Sequence, residues 1–228
     1  MSETKLVIFD CDGVLVDSEI IAIRIETELL RSAGYEISDA TLAERFSGMS
    51  WREILMIIEH ESGLKLMDAL LDRTEAILDD RLPKEVEIIQ GVRDALSAIS
   101  LPKCVCSNTK MSRLLDVIEK VGLRDVFAPN IFSAKDLGEG RSKPKPDIFL
   151  HGAAVMGVDP SETIVVEDSV HGVQGAHTAG MRVIGFTGGA HTYADHSRNL
   201  LHAGAVMNIS HMRDLPAAIA RLSTGDRT

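Results

Sequence analysis

The sequence predicts an α/β fold: a doubly wound parallel sheet core with an inserted all-helical cap. Three observations predict it. Short runs of β-prone apolar residues alternate with helical patterns over most of the chain, which implies a parallel sheet wrapped by helices on both faces. Between about residues 19 and 81 the alternation stops, and only helical periodicity remains. Three apolar runs end in reactive polar side chains, the pattern expected of strands whose carboxyl ends carry a ligand site.

Residues 5–10 open the chain with Leu6-Val7-Ile8-Phe9, a continuous apolar run that reads as a buried strand of a parallel sheet. In the block that follows, apolar residues recur at three and four: Ile21, Ile25 and Leu29; then Ile54, Ile57 and Ile58; then Leu66, Leu70 and Ile77. The chain is therefore divided into a core of residues 1–17 and 85–228 and a cap of residues 18–84. Beyond Gly91 the alternation resumes. Residues 92–99 read as a helix and Cys104-Val105-Cys106 as a short strand. Residues 114–121, 148–156 and 170–179 read as helices closed by Gly122, Gly157 and Gly180. Residues 163–166 and 182–186 read as strands, residues 205–207 as a last one, and residues 212–222 as a final helix.

A chain of 228 residues suffices for one core with a smaller insert, and it contains no repeat. The net charge of −10 repels nucleic acid and anionic membrane, so neither is an expected partner. The same charge would repel a small anion, so an anion site needs a local source of positive field. Cys11, Cys104 and Cys106 sit in or beside apolar runs and read as buried thiols in a reducing cytosol. The first residues lack the shape of a signal peptide, and no uncharged apolar stretch has the length of a membrane span; a cytoplasmic protein, monomeric or weakly homo-oligomeric, is expected.

The polar strand ends define the candidate site. The first strand ends in Asp10, followed by Asp12; the second in Ser107-Asn108-Thr109; a third in Glu167-Asp168-Ser169. If these strands are neighbours, all three groups meet at one edge of the sheet. Asp10, Asp12, Glu167 and Asp168 would then repel one another unless some are protonated or a divalent cation lies among them. Oxygen donors without His or Cys favour magnesium over zinc. Asp168 and Ser169 also suit the start of a helix, but a capping role does not explain acid clusters at two separate strand ends.

Asp10-Cys11-Asp12-Gly13-Val14-Leu15-Val16-Asp17 resembles the first motif of the haloacid dehalogenase superfamily in its phosphohydrolase form. Ser107-Asn108, Lys143-Pro144-Lys145-Pro146-Asp147 and Glu167-Asp168-Ser169 resemble the second, third and fourth motifs, in order and with family-like gaps over nearly the whole chain. The resemblance implies a Rossmann-like core and a phosphate ester as substrate. It implies Asp10 as nucleophile, forming an aspartyl-phosphate, and Asp12 as general acid and base. Lys143 would supply the missing positive charge, while the Ser107 hydroxyl and Asn108 N–H would hold the phosphoryl group. Asp10, the Asp12 carbonyl and Asp168 would bind Mg2+. Glu167 is expected to touch the metal, hold one of its waters, or orient Lys143. Gly13 would permit the turn that brings Asp12 round. The family pattern selects Lys143 over Lys145, which is expected in solvent.

Phe46-Ser47-Gly48-Met49-Ser50-Trp51-Arg52 resembles the substrate-specificity loop of the family's caps, with Gly48 as the bend and Arg52 facing an anionic group of the substrate. The alternative is a solvated helix start capped by Ser50, with Arg52 paired to an acid and Trp51 packed in the cap. The chain is most similar to the β-phosphoglucomutase-like subfamily, which makes a hexose phosphate mutase the rival function. Ala22, however, stands where the mutases carry a histidine. The wording around Asp17-Ser18-Glu19, residues 104–108 and Asp168-Ser169-Val170 resembles bacterial 6-phosphogluconate phosphatases. A non-catalytic phospho-acceptor switch of the receiver type would lack both Asp12 and the helical block. His171 is expected at the rim of the site, and His191, His196, His202 and His211 as ordinary residues.

Overall fold

The computed structural model describes residues 3–46 and 49–224. The first strand, β1 (Leu6–Phe9), is followed by four helices without an intervening strand: α1 (Glu19–Ser32), α2 (Asp39–Arg45), α3 (Trp51–Ser62) and α4 (Met67–Glu85). Then come α5 (Val92–Ala98), β2 (Lys103–Ser107), α6 (Met111–Lys120), α7 (Arg124–Phe127), β3 (Ile131–Ser133), α8 (Asp147–Val155) and β4 (Thr163–Glu167). The chain ends with α9 (Val170–Thr178), β5 (Arg182–Phe186), α10 (His196–Ala203), β6 (Met207–Ile209) and α11 (Leu215–Thr224). All strand pairings are parallel, in the order β3-β2-β1-β4-β5-β6. The chain winds outward from β1 to β3, then crosses back to β4 on the other side of β1. That reversal is the switch point at which open α/β sheets bind ligands, just beyond the carboxyl ends of the strands.

The continuous apolar runs are explained by burial on both faces. Val7, Phe9, Val105, Ile164, Val166 and Ile184 face one core, shared with α5, α6, α11 and the buried sides of α1, α3 and α4. Leu6, Ile8, Cys104, Cys106, Val165 and Val183 face a second core, closed by α8, α9 and α10. The three cysteines are buried and unpaired, as the sequence predicts. No helix among the described residues is long and apolar enough to cross a membrane.

Several element boundaries differ from the sequence reading. β3 was not expected, because three residues are too few to show a period. α7 and α10 were not expected either: the first is a single turn, and α10 opens on His196-Ser197-Arg198-Asn199 and buries only His196 and Leu200. The last strand is Met207–Ile209 rather than 205–207. Ala205 is instead tied to the end of α10 through its N–H and the Leu200 carbonyl. α6 begins at Met111, a turn earlier than its apolar pattern, and α4 continues past Arg81 through Pro83. The final helix splits into a short 3-10 turn, Met212–Asp214, and α11.

Candidate active site

Register brings the polar strand ends together. Phe9 pairs with Val105 on β2 and Val166 on β4, so Asp10, Ser107 and Glu167 all emerge at the same edge. Asp10 extends the ladder by donating its N–H to the Val166 carbonyl at 3.0 Å. The chain then closes a tight turn: Leu15 and Val16 donate to the Cys11 carbonyl, and Gly13 donates to that of Val16 at 2.8 Å. Gly13 has φ +74°, and a Cβ there would lie 1.9 Å from Asp168 Oδ2. Glycine thus serves the turn and leaves room for the carboxylate opposite. The turn presents half-buried Asp12, whose carboxylate accepts from Ser18 Oγ and Thr109 Oγ1, both at 2.7 Å, and from Ser107 Oγ at 3.4 Å.

Lys143 is 8% exposed and reaches the site from the loop before α8. Asn108 grips its backbone: the Lys143 N–H donates to Asn108 Oδ1 at 2.9 Å, and Asn108 Nδ2 donates to the Lys143 carbonyl at 3.5 Å. Its ammonium lies 2.5 Å from Asp10 Oδ1 and 2.6 Å from Glu167 Oε1, over the ring of Phe149. Glu167 is fully buried. Its other oxygen accepts from the Ser169 N–H at 2.9 Å and the Ser169 hydroxyl at 3.0 Å. A Cβ on Gly172 would fall 1.8 Å from Glu167 Oε1, so the first turn of α9 is hollowed to fit this carboxylate. Lys145 is exposed, as the motif spacing predicts.

The electrostatics follow from crowding. Burial pushes the Asp10 carboxyl well above the usual carboxylate range; Lys143 pulls it down, while Glu167, Asp168 and Asp12 push it further up. Burial would lower the Lys143 ammonium, but Asp10 and Glu167 together raise it above its ordinary value. Asp10, Glu167 and Asp168 each offer a carboxylate oxygen within 4.8 Å of the others. A buried, oxygen-only donor set with excess negative charge fits a hard divalent cation. These groups floor a cavity of about 260 Å³ that is roofed by Glu19, Ala22, Leu78, Leu82 and Arg113.

The cap residues read from the sequence fare differently. Gly48 lies outside the described residues. Arg52 does not line the cavity: it is exposed near the start of α3, with Nη1 3.9 Å from Met67 Sδ. The reason is local. Ser50 and Glu53 form a reciprocal capping box that fixes this helix start, with Arg52 on its solvent side. Trp51 packs against the core, as in the alternative reading. His171 lines a neighbouring cavity at the rim with Met49, Ser50 and Asn108.

Other roles at the site escaped the sequence reading, which took Thr109 only as part of a polar strand end and His191 and His196 as ordinary residues. Thr109 binds Asp12 as closely as Ser18 does. Arg113 is nearly buried and bridges α6 to α4 through Glu75 Oε2 at 2.6 Å and Asp79 Oδ1 at 2.7 Å. Glu19 lines the cavity, and burial raises its carboxyl to about 7. His191 Nε2 lies 2.9 Å from Asp168 Oδ2. Burial would lower this imidazole, but its bond to Asp168 and the nearby acids raise it to about 9. His196 Nε2 lies 2.6 Å from the Asp168 carbonyl oxygen. The available signal was position: the Gly188-Gly189-Ala190-His191 loop follows β5, next to β4, at the edge that carries the acids.

Comparison with known proteins bears on the family and the fold. A family model described as haloacid dehalogenase-like hydrolase matches residues 7–186. The chain is 34% identical over 218 residues to the 6-phosphogluconate phosphatase of Escherichia coli (strain K12), covering 95% of each chain. It is 30% identical over 189 residues to hexitol phosphatase B of the same organism, covering 78% of this chain and 81% of the other. A crystal structure of a conserved haloacid dehalogenase-like protein of unknown function from Agrobacterium tumefaciens superposes with a TM-score of 0.91 at 57% identity, covering 96% of this chain and 99% of that one.

Proposed function

This chain belongs to the haloacid dehalogenase-like hydrolases, and on that footing we propose that it is a Mg2+-dependent phosphatase of a small phosphorylated sugar, acting through an aspartyl-phosphate on Asp10. The observation that carries the reading is the Asp10 carboxylate on the cavity floor, 2.5 Å from the Lys143 ammonium and within 4.8 Å of further carboxylate oxygens from Glu167 and Asp168.

In the first step an Asp10 oxygen attacks phosphorus while the ester P–O bond breaks, and Asp12 gives its proton to the leaving oxygen. In the second step Asp12 takes a proton from a water that attacks the same phosphorus. The bond to Asp10 breaks, and inorganic phosphate leaves. Ser18 and Thr109 hold the Asp12 carboxylate for both transfers. Lys143 bears a fixed positive charge on the transferring oxygens. The Asn108 side chain is committed to the Lys143 backbone, which leaves its N–H, with the Ser107 hydroxyl, for the phosphoryl group. Magnesium held by Asp10, Asp168 and the Asp12 carbonyl would offset the repulsion between carboxylate and phosphate. Glu167, with one oxygen on Lys143 and the other on Ser169, orients Lys143 and adds its charge to the carboxylate cluster that would hold the metal.

Residues 18–84 form the cap in this reading and close the cavity from above. Ala22 lines that cavity at the place of the mutases' histidine and carries no proton-transfer group, which favours hydrolysis over phosphate migration. The named activities of the two E. coli relatives point to a six-carbon acid or polyol phosphate, with 6-phosphogluconate the first candidate. Phosphate release from 6-phosphogluconate and hexitol phosphates, with and without EDTA, tests the reading. Turnover is expected to need the metal and to vanish in Asp10→Asn while folding persists. EDTA-resistant hydrolysis, or an active Asp10→Asn enzyme, would overturn it.

A further inference from the structure

We propose that His191 and His196 are positioning residues that clamp Asp168 at two of its oxygens and so fix the metal site. The inference rests on the reading of Asp168 as a magnesium ligand. Both imidazoles aim Nε2 at this one residue: His191 at side-chain Oδ2, 2.9 Å away, and His196 at the backbone carbonyl oxygen, 2.6 Å away. Carbonyl and carboxylate oxygens only accept, so each Nε2 carries a proton and donates. Neither Nδ1 has a hydrogen-bond partner, although both are buried. Burying an unpaired ring nitrogen is costly, and in both rings the bond to Asp168 is the one that is kept.

The surroundings are shaped to hold this geometry. His196 is 3% exposed and stacks on Tyr193 at 4.7 Å between centroids, 14° from parallel. Tyr193 in turn accepts a hydrogen bond at its hydroxyl from Asn199 Nδ2 at 3.1 Å. A Cβ on Gly189 would lie 2.8 Å from His191 Cε1 and Nδ1, so only glycine lets the ring lie back over this loop. Gly13, where a Cβ would lie 1.9 Å from Asp168 Oδ2 and 3.0 Å from His191 Cε1, clears the space in which the two side chains meet. The loop after β5 and the first turn of α10 thus act on the end of β4. One hydrogen bond sets the direction of the Asp168 carboxylate, and the other sets the backbone that bears it. Partners of this kind, one bond removed from a metal, tune its affinity by orienting the ligand.

The test is a calorimetric titration of Mg2+ into the full chain without substrate, followed by steady-state kinetics at saturating Mg2+. His191→Phe and His196→Phe keep the rings and remove the donors; each is expected to weaken Mg2+ binding by about 10–100-fold. The KM for substrate should change little once the metal is saturating. His191→Gln and His196→Gln, which restore an amide donor, are expected to recover most of the affinity, which a loss through packing would not allow. Gly189→Ala, which leaves both imidazoles in the chain but displaces His191, is expected to weaken binding too. It stands in for any histidine variant that fails to fold. If the parent binds Mg2+ and the donor-less variants and Gly189→Ala bind it equally well, the clamp is refuted while the phosphatase reading survives. If the parent binds no Mg2+, the assignment of Asp168 as a ligand falls first.

Discussion

Replacing Gly172 by alanine sets two physical effects against each other. Gly172 is the third residue of α9, in ordinary helical conformation, and alanine is favoured there over glycine by about 1 kcal/mol. Propensity alone therefore predicts a more stable protein. But the new Cβ would lie 1.8 Å from Glu167 Oε1, 2.0 Å from Cδ and 2.4 Å from Oε2, so the carboxylate has to leave. It would give up the Lys143 ammonium at 2.6 Å and two bonds to Ser169, in a side chain with no solvent exposure. Breaking a buried ion pair costs about 3–5 kcal/mol, which exceeds the helical gain. The expected net destabilisation is roughly 2–4 kcal/mol, or a fall in Tm on the order of 10 °C for a chain of this size. Scanning calorimetry measures it. In a Glu167→Ala background the obstacle is gone, and Gly172→Ala should then stabilise. A Tm for Gly172→Ala equal to or above the parent's, or the same sign in both backgrounds, would refute the claim that α9 is hollowed for Glu167.

Two further outcomes follow from charges outside the catalytic step. Burial and the neighbouring Glu19 raise Glu26 on α1 from 4.5 to about 8. The folded state therefore holds a proton that the unfolded chain releases, and this contribution to stability is full below 4.5 and lost as pH rises through 8. Glu26→Gln should raise the Tm relative to the parent at pH 9 and change it little at pH 5; an offset independent of pH would contradict the assignment. Arg113→Met removes a guanidinium that ties α6 to Glu75 and Asp79 of α4. A loss of about 1.5–3 kcal/mol in denaturant unfolding is expected. Because Arg113 and Leu78 share the cavity wall, KM for the sugar phosphate should rise more than kcat falls; a fall in kcat alone would place the residue outside the substrate's reach.

The sequence was legible where one physical signal dominated. Continuous apolar runs marked β1, β4 and β5, because both faces of each strand are covered and nothing polar interrupts them. The residues at their ends could then be placed at a common edge without knowledge of the loops. Asp10, Ser107, Glu167 and Asp168 meet there because parallel register aligns strand ends automatically, while Lys143, in the loop before α8, was legible only through its resemblance to the family motif. Arg52 stayed ambiguous in the sequence because a capping box and a substrate loop use the same residue types; the structure shows the helix start capped by Ser50 and Glu53, with Arg52 exposed. His191 and His196 were illegible for a different reason. Their partner, Asp168, lies more than twenty residues away in sequence, and the contact is made across a loop whose path is set by glycines. No local period or motif encodes such a contact.

The charge arithmetic of the cavity explains why so much of the chain is devoted to holding it. Asp10, Asp12, Glu167 and Asp168 face Lys143 at close quarters, with His191 as the next cation. Four carboxylates against one permanent cation and one imidazole leave an excess of negative charge that a divalent ion would balance. Arg113 cannot supply the balance, since Glu75 and Asp79 already engage it. A phosphate ester entering this acidic protein therefore meets a field whose sign depends on the metal. The fold meets the cost of keeping such a site by fixing the carboxylates separately: Asp12 by three hydroxyls, Glu167 by Lys143 and Ser169, Asp168 by the His191 imidazole, with His196 on its backbone carbonyl. Among the described residues, Asp10 and Asp168 each keep one carboxylate oxygen with no protein donor, Asp10 beside Lys143 and Asp168 beside His191. An attacking group must keep a lone pair free, and the open oxygen of Asp10, on the cavity floor beside the Lys143 ammonium, meets that need.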